Sequence, residues 1–253
     1  MNKSLILTII LTFSLFSPFF AQESSAMGDA LPFFGETESD SPEGSPEISF
    51  FSQIDKSLFF TLGPKIMLNT DDETESAPSP VMYSLGVGGD FAFKNSLLAE
   101  VQLSFFTNYY LWDGENARPA EVENRTATAL SFMLDLDCLY TFRLGKEKNH
   151  LLSVGGGIGF LARYAVLSNG VDSDDVNRET GSRAGDDVSD INGSFYKNLN
   201  FLYPEAVISY SYILSEIWKV GGEFKTYFPL GPMTKGRGLD GMIFSLAVKL
   251  SYK

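Results

Sequence analysis

The sequence predicts an all-β fold, an eight-stranded antiparallel up-and-down transmembrane β-barrel. From Ser57 onward, apolar and polar residues alternate in eight runs, which is typical of strands with two unlike faces. Each run is long enough to cross a bilayer at a tilt. Short and long connections alternate between the runs, as they do in barrels that have turns at one end and long loops at the other.

The composition limits the classes of protein that the chain can belong to. Hydrophobic residues make up 44% of the 253 residues, so a packed or membrane-embedded body is expected. The net charge of -13 excludes nucleic acid as a partner, because phosphate contacts need Lys and Arg. Cys138 is the single cysteine, so an internal disulfide framework is excluded.

The N-terminus has the pattern of a secretory signal peptide, with Lys3 followed by an apolar run over residues 5–20. We place the signal peptide at residues 1–26, although cleavage after Ala21 is an alternative. An uncleaved anchor is disfavoured because the run is short for a spanning helix. Residues 27–56 are polar and acidic and predict a disordered periplasmic extension. The barrel is expected to occupy residues 57–253.

The eight alternating runs define the predicted strands. They cover residues 57–68, 83–93, 97–109, 130–143, 152–166, 202–212, 218–228 and 244–252. Short turns are expected near residues 94–96, 145–150 and 215–217, and long loops at residues 69–80, 112–128, 167–200 and 230–240.

The glycine-rich stretch over residues 153–166 has the G-x-G spacing of a phosphate-binding loop. A dinucleotide fingerprint would also need a helix directly after it, within a strand–helix–strand unit. Here the strand alternation continues without a break. The glycines at 155, 157 and 159 therefore predict one face of a strand, where they leave room inside a small barrel.

Alternation alone also fits a soluble barrel, in which the apolar face points inward. Three features favour the membrane orientation. The polar face is rich in Gly, Ser and Ala, which suits a narrow interior, and the apolar face is almost free of charge, which suits lipid. The aromatic residues of the apolar face also cluster at two depths, as in the girdles of membrane barrels. Those at the turn side are Phe60, Phe91, Phe93, Tyr140, Phe142, Tyr210, Tyr212, Trp218 and Tyr252, and those at the loop side are Tyr109, Tyr164 and Phe228.

The signal peptide, the eight strands and a last strand that reads Phe244-x-Leu246-x-Val248-x-Leu250-x-Tyr252 resemble the small eight-stranded outer-membrane proteins of the OmpX and OmpW type. This resemblance is architectural and covers residues 57–253. It implies a location in the outer membrane with loops exposed at the cell surface, and outer-membrane lipid and the barrel-assembly machinery as partners. In that class an aromatic residue often ends the chain, whereas here Lys253 is last.

The polar face predicts a charged interior with acids and bases in equal number. Its members are Lys65, Asp90, Glu100, Asp135, Asp137, Arg143, Arg163, Glu205, Lys219, Glu223, Lys225 and Lys249. Arg163 with Glu205, and Glu223 with Lys249, are expected at similar depths on neighbouring strands, where each could pair. Because buried charges must be paired or hydrated, we expect an ion-pair network that fills the lumen. A structural plug is favoured over a gated pore, since eight strands enclose little space.

Two prolines interrupt predicted strands, Pro64 in the first and Pro204 in the sixth. Proline removes a hydrogen bond from the strand ladder. The functional hypothesis is a weak seam through which an apolar ligand leaves sideways into the membrane. The alternative, which is favoured, is a tolerated bend.

The longest loop, residues 167–200, is acidic and is expected to be a solvated surface loop that contacts an extracellular ligand. The acids that define it are Asp172, Asp174, Asp175, Asp186, Asp187 and Asp190. Calcium binding is conceivable, but the spacing matches no helix-loop-helix calcium motif, so no metal is expected. The single histidine, His150, falls in a short turn away from any surface-side acid or serine. The sequence therefore predicts neither an enzyme nor a cofactor.

Two functional classes remain open. In the first, the barrel has a plugged lumen and acts in surface interaction or envelope structure through the loops at 112–128 and 167–200. In the second, it is a channel that passes small hydrophobic molecules and releases them sideways near Pro64 or Pro204. The balanced charge of the predicted lumen favours the first class.

Overall fold

A computed structural model of the chain describes residues 54–69, 80–93, 96–121, 123–177 and 180–253. The predicted signal peptide lies outside the described residues, and so does the predicted extension up to residue 53. The first strand begins at Asp55, so the last two residues of that predicted extension belong to the barrel.

Every predicted run is a strand. Within the described residues the strands are β1 (Asp55–Met67), β2 (Val81–Ala92), β3 (Leu97–Trp112), β4 (Ala117–Pro119), β5 (Ala127–Leu144), β6 (His150–Leu167), β7 (Leu202–Ile213), β8 (Trp218–Tyr227) and β9 (Ile243–Tyr252). The helices there are α1 (Ala184–Tyr196) and α2 (Leu230–Thr234), and a 3-10 turn (Lys197–Leu199) follows α1. The short β4 lies inside the predicted 112–128 loop, and α1 lies inside the predicted 167–200 loop.

The strands close into a ring. Every neighbouring pair is antiparallel, in the order β2-β1-β9-β8-β7-β6-β5-β3, and β2 also pairs with β3. The short β4 pairs with the end of β3 and lies outside this ring. A closed ring gives each strand two hydrogen-bonded neighbours, so no strand edge is left for lipid to meet. The fold is a closed eight-stranded antiparallel β-barrel.

The barrel has two unlike ends. Short turns join β2 to β3, β5 to β6 and β7 to β8 at one end, and the longer connections lie at the other. We call these the turn end and the loop end. The first strand begins and the last strand ends at the turn end, where Lys253 Nζ lies 3.1 Å from Asp55 Oδ1.

The outer surface of the barrel is apolar. Leu62 and Val248 are 60% and 62% exposed, whereas Lys225 and Lys249 on the inward face are buried. A soluble barrel has the opposite arrangement, with apolar side chains inside and charged ones in water. This surface is therefore one that lipid solvates, and the barrel spans a membrane by its strands. Cys138 lies on this outward face. None of the helices within the described residues is long and apolar enough to cross a membrane.

Gly155, Gly157 and Gly159 of β6 lie on the inward face of a continuous strand, and the phosphate-loop alternative is excluded. A Cβ placed on Gly157 would lie 2.9 Å from the Cα of Asp137 and closer still to the carbonyl oxygen of Leu136 on β5. Gly155 approaches β5 in the same way. At Gly159 the space is filled by the side chains of other strands. The glycines thus allow close strand approach in a narrow ring as well as room inside it.

The strand ladder argues against an opening at either proline. Pro204 pairs with Ile158, and its carbonyl accepts a hydrogen bond from the Phe228 N–H at 2.8 Å, so the ladder is continuous there, which favours the tolerated bend over the seam. Between β1 and β9 the ladder skips Gly63 and Pro64 but keeps the same register on both sides.

The two strands stay in contact across that gap. A Cβ on Gly63 would lie 2.6 Å from the Cα of Ala247. Pro64 therefore costs ladder hydrogen bonds without parting the strands.

The close approach of β6 to β5 generates a prediction. Gly157→Ala should lower the free energy of unfolding by about 1–3 kcal/mol, because the added methyl group overlaps the backbone of β5. Urea unfolding in lipid vesicles measures the change. Gly222→Ala is the matched control, since its nearest neighbour, the Ala247 carbonyl oxygen, is 3.7 Å away. Equal unfolding midpoints for the two variants would contradict the steric argument.

Candidate functional site

The inward side chains form a charged layer nearest the turn end, which we call the ionic layer. Within the described residues it contains Lys65, Asp90, Glu100, Asp135, Asp137, Glu205, Lys219, Glu223, Lys225 and Lys249. All but Lys219 are buried. These side chains come from seven of the eight strands of the ring, so the layer forms only when the ring is closed.

Lys225 is the hub of the ionic layer. Its Nζ lies 2.7 Å from Asp137 Oδ2 and 3.2 Å from Glu100 Oε1. The Oδ2 of Asp135 lies 3.4 Å away. These acids stand on β3 and β5, neither of which pairs with β8 in the ladder. The lysine therefore reaches across the lumen and ties opposite walls together.

Lys249 is the second cross-link. Its Nζ donates hydrogen bonds to Glu100 and, at 3.0 Å, to Asp90, and it stands 3.8 Å above the ring centre of Phe59. Glu223 Oε2 lies 3.8 Å from the same ammonium group. Glu100 thus bridges Lys225 and Lys249, with one carboxylate oxygen on each.

Lys65 connects the ionic layer to the aromatic side chains above it. Within the described residues it makes no ion pair; it donates to Ser104 Oγ at 3.1 Å and to the Tyr227 hydroxyl at 3.5 Å. Its ammonium group also stands 5.2 Å from the centre of the Phe106 ring. The Tyr227 hydroxyl in turn donates to Asp135 Oδ2 at 3.0 Å. The Lys65 charge is therefore held by hydroxyl groups and ring faces.

The ionic layer has more acids than bases, in contrast to the predicted balance. Among the described residues, six carboxylates face four lysines. Arg143 was expected in the lumen, but it lies at the exposed end of β5 beyond the buried layer. Arg163 was expected there too, but it lies near the loop end. The prediction was wrong about depth, because alternation specifies the face of a residue and not its height.

The predicted pair of Arg163 and Glu205 does not form. Glu205 stands opposite Gly157 in the ladder, and Arg163 lies further along β6, past the end of its pairing with β7. The register between neighbouring strands, which the sequence does not show, separates the two. Neither carboxylate oxygen of Glu205 has a hydrogen-bond partner among the described residues.

A layer of large apolar side chains lies above the ionic layer, and we call it the apolar layer. It consists of Met67, Met82, Phe106, Met133, Leu161, Tyr203, Tyr227 and Ile243. This layer was not predicted from the sequence, although Met67, Leu161 and Tyr227 occupy polar-face positions of the alternating runs. Large apolar residues at the loop-end side of an otherwise small and polar face were the signal that could have found it.

The loop end is covered by α1, which we call the cap. Ile191 and Phe195 of α1 are buried and pack against Tyr110, Trp112 and Ala165 of the barrel wall. The rings of Tyr110 and Phe195 meet edge to face, with centres 4.9 Å apart. The prediction of a solvated loop missed this helix. Apolar residues at helical spacing over 184–195 were its signal in the sequence.

Side chains of α1 replace a missing strand partner. The last contact of β6 with the β7 side is made by the Leu161 N–H, so Arg163 and Ala165 extend beyond it. The Asn192 amide bonds both the N–H and the carbonyl of Ala165 at 2.9 Å. The Tyr196 hydroxyl bonds the N–H of Arg163 at 3.1 Å and its carbonyl at 2.6 Å. The cap thus satisfies backbone groups that would otherwise remain unpaired.

One of the predicted surface acids is buried. Asp187 has no exposed surface and accepts hydrogen bonds from Ser182 Oγ at 2.5 Å and Asn177 Nδ2 at 2.8 Å, so it anchors the cap. The other five, Asp172, Asp174, Asp175, Asp186 and Asp190, are exposed. Within the described residues, no group of three or more His, Cys, Asp or Glu side chains is placed to hold a metal ion.

The connection from β3 to β4 is built around Asp113. Its carboxylate accepts from Arg118 Nε at 2.7 Å and from the backbone N–H groups of Glu115 and Asn116 at 2.8 and 2.6 Å. Burial alone would raise the pKa of Asp113, but the hydrogen bonds from Arg118 and from the backbone hold that pKa below its ordinary value. The guanidinium of Arg118 also lies 3.5 Å from Asp240.

His150 stands at the turn end, where β6 begins. Its Nδ1 lies 2.6 Å from the Tyr210 hydroxyl, and its ring packs 5.0 Å from that of Tyr212. These contacts belong to the outer aromatic surface at the turn end, on the far side of the ionic layer from the cap.

The solved structures that resemble this chain share little sequence identity with it. Neisserial surface protein A superposes with a TM-score of 0.48 at 9% identity, over 79% of this chain and 98% of that one. Ail, the attachment invasion locus protein of Yersinia pestis, gives 0.39 at 8% identity, over 78% and 96%. The outer membrane enzyme PagL gives 0.35 at 16% identity, over 78% and 98%. No family model and no curated protein matches the sequence.

The hub position of Lys225 and the surplus of acids predict opposite effects for two substitutions. Lys225→Met should lower the free energy of unfolding by about 3–5 kcal/mol, because it removes the cation that four buried carboxylates share. Glu205→Gln should leave it unchanged or raise it, because the carboxylate has no hydrogen-bond partner to lose.

Urea unfolding in lipid vesicles compares both variants. Lys219→Met is the control for Lys225→Met, since the Lys219 side chain is 27% exposed and should cost much less. If Glu205→Gln destabilised the barrel as strongly as Lys225→Met, the inference that the Glu205 carboxylate adds no stability would be wrong.

The lowered pKa of Asp113 predicts that the loop end becomes less stable at acidic pH. A carboxyl whose pKa is lower in the folded state contributes stability above its unfolded pKa of about 3.9, and that stability is lost as the pH falls through the folded pKa. We expect the environment of buried Trp112 to become more polar below about pH 4. Because the chain has two tryptophans, Trp218→Phe makes Trp112 the only fluorescent reporter of this kind.

In that background, Asp113→Asn should show the more polar Trp112 signal already at neutral pH, with a smaller change on acidification. Asp186→Asn, which changes an exposed acid of α1, should keep the wild-type pH profile. An unaltered acid transition in Asp113→Asn would assign the change to other groups.

Proposed function

We propose that this chain is an integral outer-membrane protein with a closed lumen, and that it acts in surface interaction or envelope structure through its loop end. The observation that carries the proposal is the filled interior. The ionic layer, the apolar layer and the cap follow one another along the barrel axis.

The order of these layers opposes the passage of both classes of solute. A polar solute would have to cross the apolar layer, where Phe106, Met133 and Tyr227 are buried. An apolar solute would have to separate the buried ion pairs of Lys225 and Lys249, which is costly where water is excluded. An eight-stranded ring leaves little space around these side chains.

The loop end offers a surface that a partner could contact. An open cleft of about 500 Å³ lies between residues 123–126, which lead into β5, and the chain that leads into α1. Glu123, Arg125, Asp175 and the 65% exposed Val176 line it or stand at its edge. Its volume lies within the usual range of ligand clefts, and its mixed lining suits a polar partner with some apolar surface. The cleft supports a surface-interaction role for the two loops.

The second hypothesis is a channel that passes small hydrophobic molecules and releases them sideways. The two-residue break in the ladder at Gly63 and Pro64 is the one observation in the described residues that favours it. The register is kept across the break, which weakens the hypothesis. A transport measurement separates the two functions.

Proteoliposomes that contain refolded residues 27–253 should show no uptake of sucrose and no protein-dependent uptake of a small apolar compound, since both layers block the lumen. The assay is validated in the same lipid with a porin of known conductance. Uptake of the apolar compound alone would favour the lateral channel. Uptake of both compounds would contradict the closed lumen.

A cap deletion tests whether α1 is the closure. Replacing residues 184–196 by a Gly-Ser linker of equal length should leave the barrel closed, because the ionic and apolar layers remain. Circular dichroism and heat-modifiable gel migration confirm that the variant is folded. Uptake that begins only after this deletion would make the cap a gate and overturn the permanently closed lumen.

A further inference from the structure

We propose that a cavity at the loop end is a binding site for a phosphate group or an oxyanion of similar size, carried by a water-borne ligand. The cavity has a volume of about 70 Å³ and lies between α1, β4 and the connection from β8 to β9. One water molecule needs about 10–15 Å³ measured in this way, so the space admits several waters or one tetrahedral oxyanion.

The lining of this cavity is basic in a chain that is strongly acidic overall. The cationic residues that line it are Arg118, Arg163, Lys235 and Arg237. Two carboxylates lie close to them. Asp113 is bound to Arg118, and Asp240 lies 2.8 Å from Arg237. Among the described residues, the four cations around this cavity therefore exceed the two carboxylates by two positive charges. The whole chain, in contrast, carries a net charge of -13.

Arg163 is the buried part of that surplus. Arg163 is 8% exposed, and its guanidinium donates to the Tyr110 hydroxyl at 3.2 Å and to the Asn200 carbonyl at 2.8 Å. It also lies 4.2 Å from the centre of the Phe195 ring. Its Nε has no hydrogen-bond partner, and within the described residues no carboxylate lies within ion-pair distance.

A buried guanidinium that lacks a counterion is costly, and an anion beside it removes that cost. Arginine is also the side chain best suited to a phosphate or carboxylate group, because its planar N–H groups match two oxygens at once. The Ser194 hydroxyl and the Asn200 amide line the same cavity and could donate to a bound oxyanion.

Lys235 is the exposed part of the surplus. It stands at the edge of the cavity, beyond α2, and faces the aqueous side of the loop end. A cation at the entrance of a basic cavity attracts anions from solution. The lining comes from inward-facing positions such as Tyr110 and Arg163 and from the connections above them, so we assign the site to a water-borne ligand and not to a lipid headgroup. This inference is independent of whether the lumen conducts.

Isothermal titration of the refolded barrel in maltoside micelles with inorganic phosphate, at constant ionic strength, tests the site. We expect one saturable site with a Kd of about 1 mM or lower. Lys235→Glu should weaken binding about tenfold or more, and Arg163→Gln should abolish it. Lys197→Glu makes the same charge change on an exposed residue of the loop end outside the cavity, so it should keep the wild-type affinity within about twofold.

Because Arg163→Gln removes a buried contact, its fold is checked by circular dichroism, and the exposed Lys235 keeps the test decisive if that variant fails to fold. The absence of saturable binding, or an equal loss in Lys197→Glu, would overturn the site. A second titration in nanodiscs with and without phosphatidic acid separates the two sources of a phosphate group. Phosphate affinity should be unchanged by the lipid, and its loss there would overturn the assignment to a water-borne ligand.

Discussion

The closure of the strand ring between β1 and β9 is the constraint on which the rest of the structure depends. A bilayer offers no hydrogen-bond partner to an open strand edge, so each strand of the barrel needs two neighbours. With eight strands the ring is narrow, and Gly157 shows how closely neighbouring strands approach one another. The break at Pro64 is tolerated because the pairs on both sides of it hold the register.

A narrow ring turns its interior into a packing problem. Lysine side chains are long enough to reach into the lumen, and Lys225 and Lys249 meet acids on strands with which their own strands do not pair. Above them the lumen is filled by rings and methionines, and at the loop end by a helix. The same interior that stabilises the ring therefore leaves little room for transport. For this reason we propose a role in surface interaction or envelope structure and not a channel.

The alternation of side chains made the barrel predictable, because lipid and lumen impose a period of two on every strand. Which residues face inward, such as Lys65 and Lys225, follows from that period. The period does not carry the register between strands, so the proposed pairing of Arg163 with Glu205 was wrong. Nor does it carry depth, and so Arg143 fell outside the buried layer.

The cap was missed because the acidic residues of 172–190 concealed a short amphipathic helix. Its anchoring to β6 through Asn192 is a tertiary contact that no local pattern reports.

The distribution of charge along the chain has a consequence for how the barrel is completed. Asp90, Glu100, Asp135 and Asp137 lie on β2, β3 and β5, whereas the lysines that bind them lie on β8 and β9. A barrel that still lacks its C-terminal hairpin carries an uncompensated negative wall, which low-dielectric surroundings disfavour. Arrival of the last two strands completes the ring and brings Lys225 and Lys249 to that wall in the same step. From this order of charges, a sheet that lacks its last two strands is expected to enter a membrane less readily than the finished barrel.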